Sequence, residues 1–156
     1  MAADDWTAIF TAATAAATMA LAIVAWYQIS QATHQTKGWQ TLAACEKYES
    51  DAVLDRCARR LFFARKSGSF ATDPPSYRVD VTTILNYLDG LAIGIDQNLY
   101  VKEIVRDHLE PIIKWHVDTY LNPSQADKIG IQRTEYARLI ELCEGWNKAP
   151  PSYRGR

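Results

Sequence analysis

No lysine or arginine occurs before Lys37, and from Trp6 to Thr36 there is no formal charge, counting His34 as neutral. Within that stretch Ala8 to Tyr27 runs without a Gly or Pro. That is the length, about 20 residues, that a helix needs to cross a hydrocarbon core about 30 Å thick. Trp6 near one end, and Trp26 with Tyr27 near the other, stand where amphipathic rings favour the headgroup level. The sequence therefore predicts a transmembrane anchor over residues 1–36. The opening Met-Ala-Ala-Asp-Asp lacks the positive start of a cleaved secretory signal. With Lys37 as the first cation, the remainder is expected on the cytoplasmic side and the N-terminus outside.

The span is weakly hydrophobic, since nine of its twenty residues are Ala and three are Thr. Thr7, Thr11, Thr14 and Thr18 recur at spacings of four, three and four, and the register continues through Leu21, Ala25 and Gln28. These positions share one helix face. Small residues let helix backbones approach closely, and Thr hydroxyls bond either across a helix pair or back to their own carbonyls. Thr7, Thr11, Thr14, Thr18 and Ala25 are accordingly read as a helix interface. A pore lining, a passive anchor whose hydroxyls are satisfied within the helix, and a buried core helix of a soluble protein are the competing readings.

Beyond Lys37 charge returns, but the whole chain balances 17 basic against 18 acidic residues for a net charge of -1. No overall field would hold nucleic acid or an acidic substrate. Cys45, Cys57 and Cys143 form no CxxC pair and are expected as reduced thiols. Trp39, Leu42, Cys45, Tyr48, Ala52, Val53, Cys57, Leu61 and Phe62 follow helical spacing, either in one long helix over 38–66 or in two, with Ser50 or Asp51 capping the second. Arg56, Arg59, Arg60, Arg65 and Lys66 form the densest basic cluster, read as a possible polyanion contact beside the simpler reading of a solvated helix face.

Ser67-Gly68-Ser69 ends that region, and Thr72-Asp73-Pro74-Pro75-Ser76 reads as an irregular hinge. A second helical region from about 78 to 97 carries Val81, Ile84, Leu85, Leu88, Leu91, Ala92 and Ile95, a stripe wide enough for burial on more than one side. Gly90 and Gly94 are expected to admit another helix closely. A third helix, about 100–120, should be kinked or interrupted at Pro111. Asn122-Pro123-Ser124 then breaks the chain, and a helix over about 134–144 ends at Gly145. The fold class is all-α: an N-terminal transmembrane helix (1–36), a cytoplasmic bundle of about four helices (37–146) and a basic extended tail (147–156).

The run from Thr82 to Tyr120 contains an Asn three residues before an acid on an apolar helix, Asn86 and Asp89. A Gly94-Ile95 step, a short turn and a helix with a late Trp115 follow. This pattern resembles a bacterial and phage family of small membrane-anchored helical proteins, domain of unknown function 4760, with Asp89 where the pattern has Glu. The resemblance implies a fold without an activity. Asn86 and Asp89 share a helix face and are expected as a polar pair in an apolar interface, satisfied by Trp115 or a backbone group.

No phosphate-binding loop, dinucleotide fingerprint or nucleophile elbow is present. His108 and His116 lie eight apart, about 12 Å along a helix, too far for one zinc ion without further ligands. No catalytic, cofactor or metal residues are assigned. The expectation is a non-enzymatic membrane protein that contacts lipid and self-associates or docks on a larger membrane complex. The alternatives are a homo-oligomeric pore in antiviral defence, similar in plan to the small membrane accessory protein of type VI-B CRISPR systems, and a membrane-tethered RNA-binding module.

Overall fold

The computed structural model describes the backbone of residues 3–148 and side chains from Thr14 onward; residues 149–156 of the expected tail lie outside the described residues. Among the described residues the chain is all-α and contains no strand. It divides into two compact units, Met1–Lys37 and Gly38–Arg156. The division falls inside a continuous helix, α1 (Ala3–Ser50).

In the first unit α1 is uncharged from Trp6 to Thr36, and every residue from Thr14 to Thr36 is exposed. Among the described residues no helix is long and apolar enough to cross a membrane. The part of the expected span that is described, from Thr14 onward, explains why. Ala and Thr supply little hydrophobicity per residue, and past Val24 the helix takes on Gln28, Ser30 and Gln31. The first residues of the expected span, 8–13, belong to the segment whose side chains are not described.

The second unit takes the last turns of α1, where Thr41 and Cys45 are buried. Asp51 breaks the helix: its carboxylate accepts the backbone N–H groups of Val53 (2.9 Å) and Leu54 (3.2 Å) and so caps α2 (Ala52–Lys66). Residues 38–66 thus form two helices. Their buried face is Cys45, Leu54, Cys57, Leu61 and Ala64, whereas Trp39, Val53 and Phe62, expected on the apolar stripe, are exposed. The break at Asp51 rotates the register, so one continuous stripe does not describe both.

The Pro74-Pro75 segment is more regular than expected. Gly68, with φ +78°, turns the chain into α3 (Ser69–Thr72), and Pro74–Tyr77 forms a 3-10 turn. Proline at the start of such a turn loses an N–H that has no partner there. α4 (Arg78–Asp96) follows and is the central helix. Val81, Ile84, Leu85, Leu88, Leu91 and Ala92 are buried along it, and it packs against α2, α5 (Lys102–Tyr120) and α7 (Ala137–Lys148).

α5 runs unbroken through Pro111. Leu109 and Ile113 are buried on either side of the proline, and packing of both turns holds the helix across the missing donor. Asn122-Pro123-Ser124 starts a helix instead of breaking the chain. Asn122 caps α6 (Pro123–Ile129), its side chain accepting from the Gln125 N–H at 3.0 Å, and Gly130 closes it in the left-handed region. Gly145 lies inside α7, which runs on to Lys148. The core collects Val105, Leu109, Ile113 and Tyr120 from α5, Leu121 and Ile129, and Leu139, Cys143 and Trp146 from α7. All three cysteines are free and buried.

Candidate functional site

In the first unit the stripe residues Thr14, Thr18 and Ala25 are exposed; the side chains of Thr7 and Thr11 lie outside the described residues. The Thr18 hydroxyl donates to the Thr14 carbonyl at 2.8 Å, and Thr33 and Thr36 bond four residues back in the same way. These hydroxyls are satisfied within their own helix, so contact along the stripe would rest on close packing. Exposure is not confined to the stripe. Met19, Leu21, Ile23, Val24, Trp26, Tyr27 and Ile29 are each more than half exposed, and successive residues such as Ile23 and Val24 point to different sides of the helix.

In the second unit most of the basic cluster is engaged by the protein itself. Arg59 pairs with Asp55 at 2.9 Å, and Arg60 Nη1 lies 3.1 Å from Asp80 Oδ2, an ion pair by distance though without hydrogen-bond geometry. Arg60 also sits over the Tyr77 ring, and Arg65 over the Trp115 ring with its guanidinium carbon 5.0 Å from the centroid. Arg56 is exposed on the same helix. Within the cluster, then, Arg59 and Arg60 are ion-paired by distance, while Arg56, Arg65 and Lys66 have no ion-pair partner among the described residues.

Arg65 and Lys66 instead stand at a cavity of about 680 Å³. Tyr48 of α1, Ala58, Leu61, Phe62 and Phe63 of α2, Ile84 of α4, and Trp115, His116 and Tyr120 of α5 line it, and the residues lining it include no acid. Phe62 and Phe63 are exposed, while His116 and Tyr120 are buried. The helix spacing explains the latter: Val105, Leu109, Ile113, His116 and Tyr120 continue one buried stripe of α5.

His116 Nδ1 lies 2.8 Å from the Ile112 carbonyl, which fixes the tautomer with the proton on Nδ1 and leaves Nε2 with its lone pair. Burial lowers its pKa, against the pull of that hydrogen bond, and the Arg65 charge lowers it further. The Tyr120 hydroxyl is buried without a hydrogen-bond partner among the described residues. Burial raises its pKa, opposed by the Arg65 side chain, which approaches the hydroxyl closely without reaching hydrogen-bond geometry and adds its charge, and burial pushes Tyr48 up to about 12. The cavity thus has an apolar, aromatic interior, protonated phenols and neutral imidazole, and fixed positive charge beside it. It suits an apolar body and lacks a paired nucleophile and base. The sequence reading weighed His116 only as a metal ligand, and no signal in the sequence joins Tyr48, Leu61, Ile84 and Tyr120.

Asn86 and Asp89 face the start of α7. The Tyr136 hydroxyl donates to Asn86 Oδ1 at 2.9 Å, and the Leu139 N–H donates to Asp89 Oδ1 at 3.2 Å. Asp89 thereby holds one of the N–H groups that the first turn of a helix leaves unpaired. Burial raises its pKa, with the Leu139 bond and Arg138 acting the other way. Trp115 does not join this pair; it stacks edge-on against His116 and Tyr120. The two glycines also differ from expectation. Gly90 has open space around it, and Gly94 is covered by the Tyr100 ring, brought back by a turn in which Leu99 N–H bonds the Gly94 carbonyl at 2.8 Å. Close packing on Gly94 thus comes from a side chain just beyond the end of α4, because Asn98, with φ +56°, reverses the chain there.

A family model described as Domain of unknown function (DUF4760) matches residues 15–122, from the exposed part of α1 to the cap of α6. No curated protein and no solved structure matches the chain.

Proposed function

The chain belongs to the DUF4760 family, and from that premise we propose that it is a non-enzymatic membrane protein that acts by assembly. Its N-terminal helix lies in lipid and packs against other helices, and the helical unit beyond Gly38 is the cytoplasmic module that it carries.

One observation carries this reading: from Thr14 to Thr36 the helix is uncharged, and between Met19 and Ile29 it exposes large apolar side chains on all its sides. A helix that is apolar all round finds a stable place in lipid or in the interior of a larger assembly. Crossing would draw on residues 8–13 in addition, which extend the apolar run. The second unit supports a structural role. Burial pushes Cys45 and Cys143 up to about 11, which keeps both thiols protonated and poorly nucleophilic at neutral pH.

The test is native mass in mild detergent. Replacing Thr11, Thr14 and Thr18 together by Leu should leave the chain in the membrane fraction and reduce its assembly. Each polar or close-packing contact of this kind contributes under about 1 kcal/mol, so the triple variant is needed for a clear loss. An unchanged native mass would contradict assembly through this face.

A further inference from the structure

We propose that the cavity between α2 and α5 is a binding site for a single-chain amphiphile with an anionic head, a carboxylate or a phosphate on an acyl tail. The tail occupies the aromatic interior and the head meets Arg65, Lys66 and the Tyr120 hydroxyl.

The volume, about 680 Å³, falls within the roughly 300–1,000 Å³ of small-molecule sites, whose walls are mostly apolar with a few convergent polar groups. Leu61, Ile84, Phe62, Phe63 and Tyr48 supply such walls, and none offers a charge to an acyl chain. Charge complementarity selects the head. Arg65 and Lys66 line the cavity without an ion-pair partner among the described residues, whereas Arg59, which also lines it, is held by Asp55. Arg65 is fixed over Trp115, so its guanidinium is oriented before a ligand arrives.

The second polar feature is Tyr120. Its residue is fully buried, it lines the cavity, and its hydroxyl lies close to Arg65 but has no partner in hydrogen-bond geometry among the described residues. A buried hydroxyl without a partner carries a desolvation penalty, and an anionic oxygen near Arg65 would accept a hydrogen bond from it. His116 presents no competing acid, because its Nδ1 proton is committed to the Ile112 carbonyl. A cationic head would leave both Tyr120 and the Arg65 charge without this compensation, and a neutral head would leave the Arg65 charge without it.

The experiment uses the full chain in phosphatidylcholine nanodiscs, with decanoate and decyl phosphate as anionic probes. Decanol and decyltrimethylammonium are the neutral and cationic controls, and empty nanodiscs report partition into lipid. Saturable, one-to-one binding of decanoate or decyl phosphate is expected, with the tighter of the two identifying the head.

Arg65→Gln should weaken that binding about tenfold, the scale of one charge-assisted hydrogen bond, and leave decanol unaffected. Arg56→Gln, on the same helix but not in the lining, should change nothing. Tyr120→Phe should weaken the anion about threefold or more. Ala58→Trp, which fills the cavity, should remove saturable binding while the unfolding midpoint stays in place.

The proposal is overturned by uptake no greater than in empty nanodiscs, by equal effects of Arg65→Gln and Arg56→Gln, or by equal affinity for the three head charges. A nucleoside monophosphate that binds more tightly than decanoate would also overturn it. All lining residues lie between Tyr48 and Tyr120, so the same titrations on the full chain in lipid-free buffer separate failure of this site from failure of the N-terminal helix to enter lipid.

Discussion

Gly90 and Gly94 are four residues apart on α4, and their surroundings give opposite expectations for the same substitution. At Gly94 a Cβ would meet the Tyr100 ring; Gly94→Ala should lower stability by about 1–3 kcal/mol, the range for forcing an extra methyl into packed space. Gly90 is helical and open, so Gly90→Ala should raise stability by up to about 1 kcal/mol through helix propensity. Urea denaturation of both variants checks the pair. His116 gives a pH expectation. Its pKa is lowered in the fold by burial, so the unfolded chain takes up the proton first as pH falls below the ordinary imidazole value of about 6.5. Stability contributed by the neutral ring is present above that value and is lost on acidification. His116→Leu should flatten the stability profile between about pH 6.5 and 5; a profile as steep as the parent's would contradict this. The burial of His116 was not read from the sequence, which considered it only as a metal ligand, although it continues the stripe of Val105, Leu109 and Ile113. The covering of Gly94 was not legible, because it depends on a turn that brings Tyr100 back over the helix.

At the scale of elements, α7 and the turn that leads into it are tied to α4 by two side chains that the sequence marked as a pair. Asp89 accepts the Leu139 N–H and Asn86 accepts the Tyr136 hydroxyl. Asp89→Ala should lower stability by about 1 kcal/mol by leaving that N–H unpaired. Asp89→Asn keeps an acceptor and removes a charge that burial disfavours. Because the raised pKa means that the folded state prefers the protonated acid, the ionised form detracts from stability above that pKa. Asp89→Asn should therefore be at least as stable as the parent at pH 7, the difference vanishing as pH falls through the carboxylate range. Denaturation at pH 7 and pH 4 measures both. Helix periodicity located α4, α5 and α7 because each buries one continuous stripe. It failed where punctuation residues have two uses. Pro111 sits inside a helix held from both ends by packing, and Asn122-Pro123 opens a helix as cap and first residue.

For the whole molecule, the all-α class and the change of character near Lys37 follow from charge distribution and spacing alone. The cavity does not, since its lining is gathered from four helices separated by up to 72 positions, from Tyr48 to Tyr120, and only tertiary packing brings them together. The proposed membrane role rests on the exposed large apolar side chains between Met19 and Ile29. Flotation of the full chain with phosphatidylcholine vesicles, followed by alkaline carbonate extraction, addresses it most directly. The chain should rise with the lipid, stay there after extraction and leave only with detergent. Recovery as a monodisperse monomer in the aqueous fraction, without any surfactant, would contradict the account.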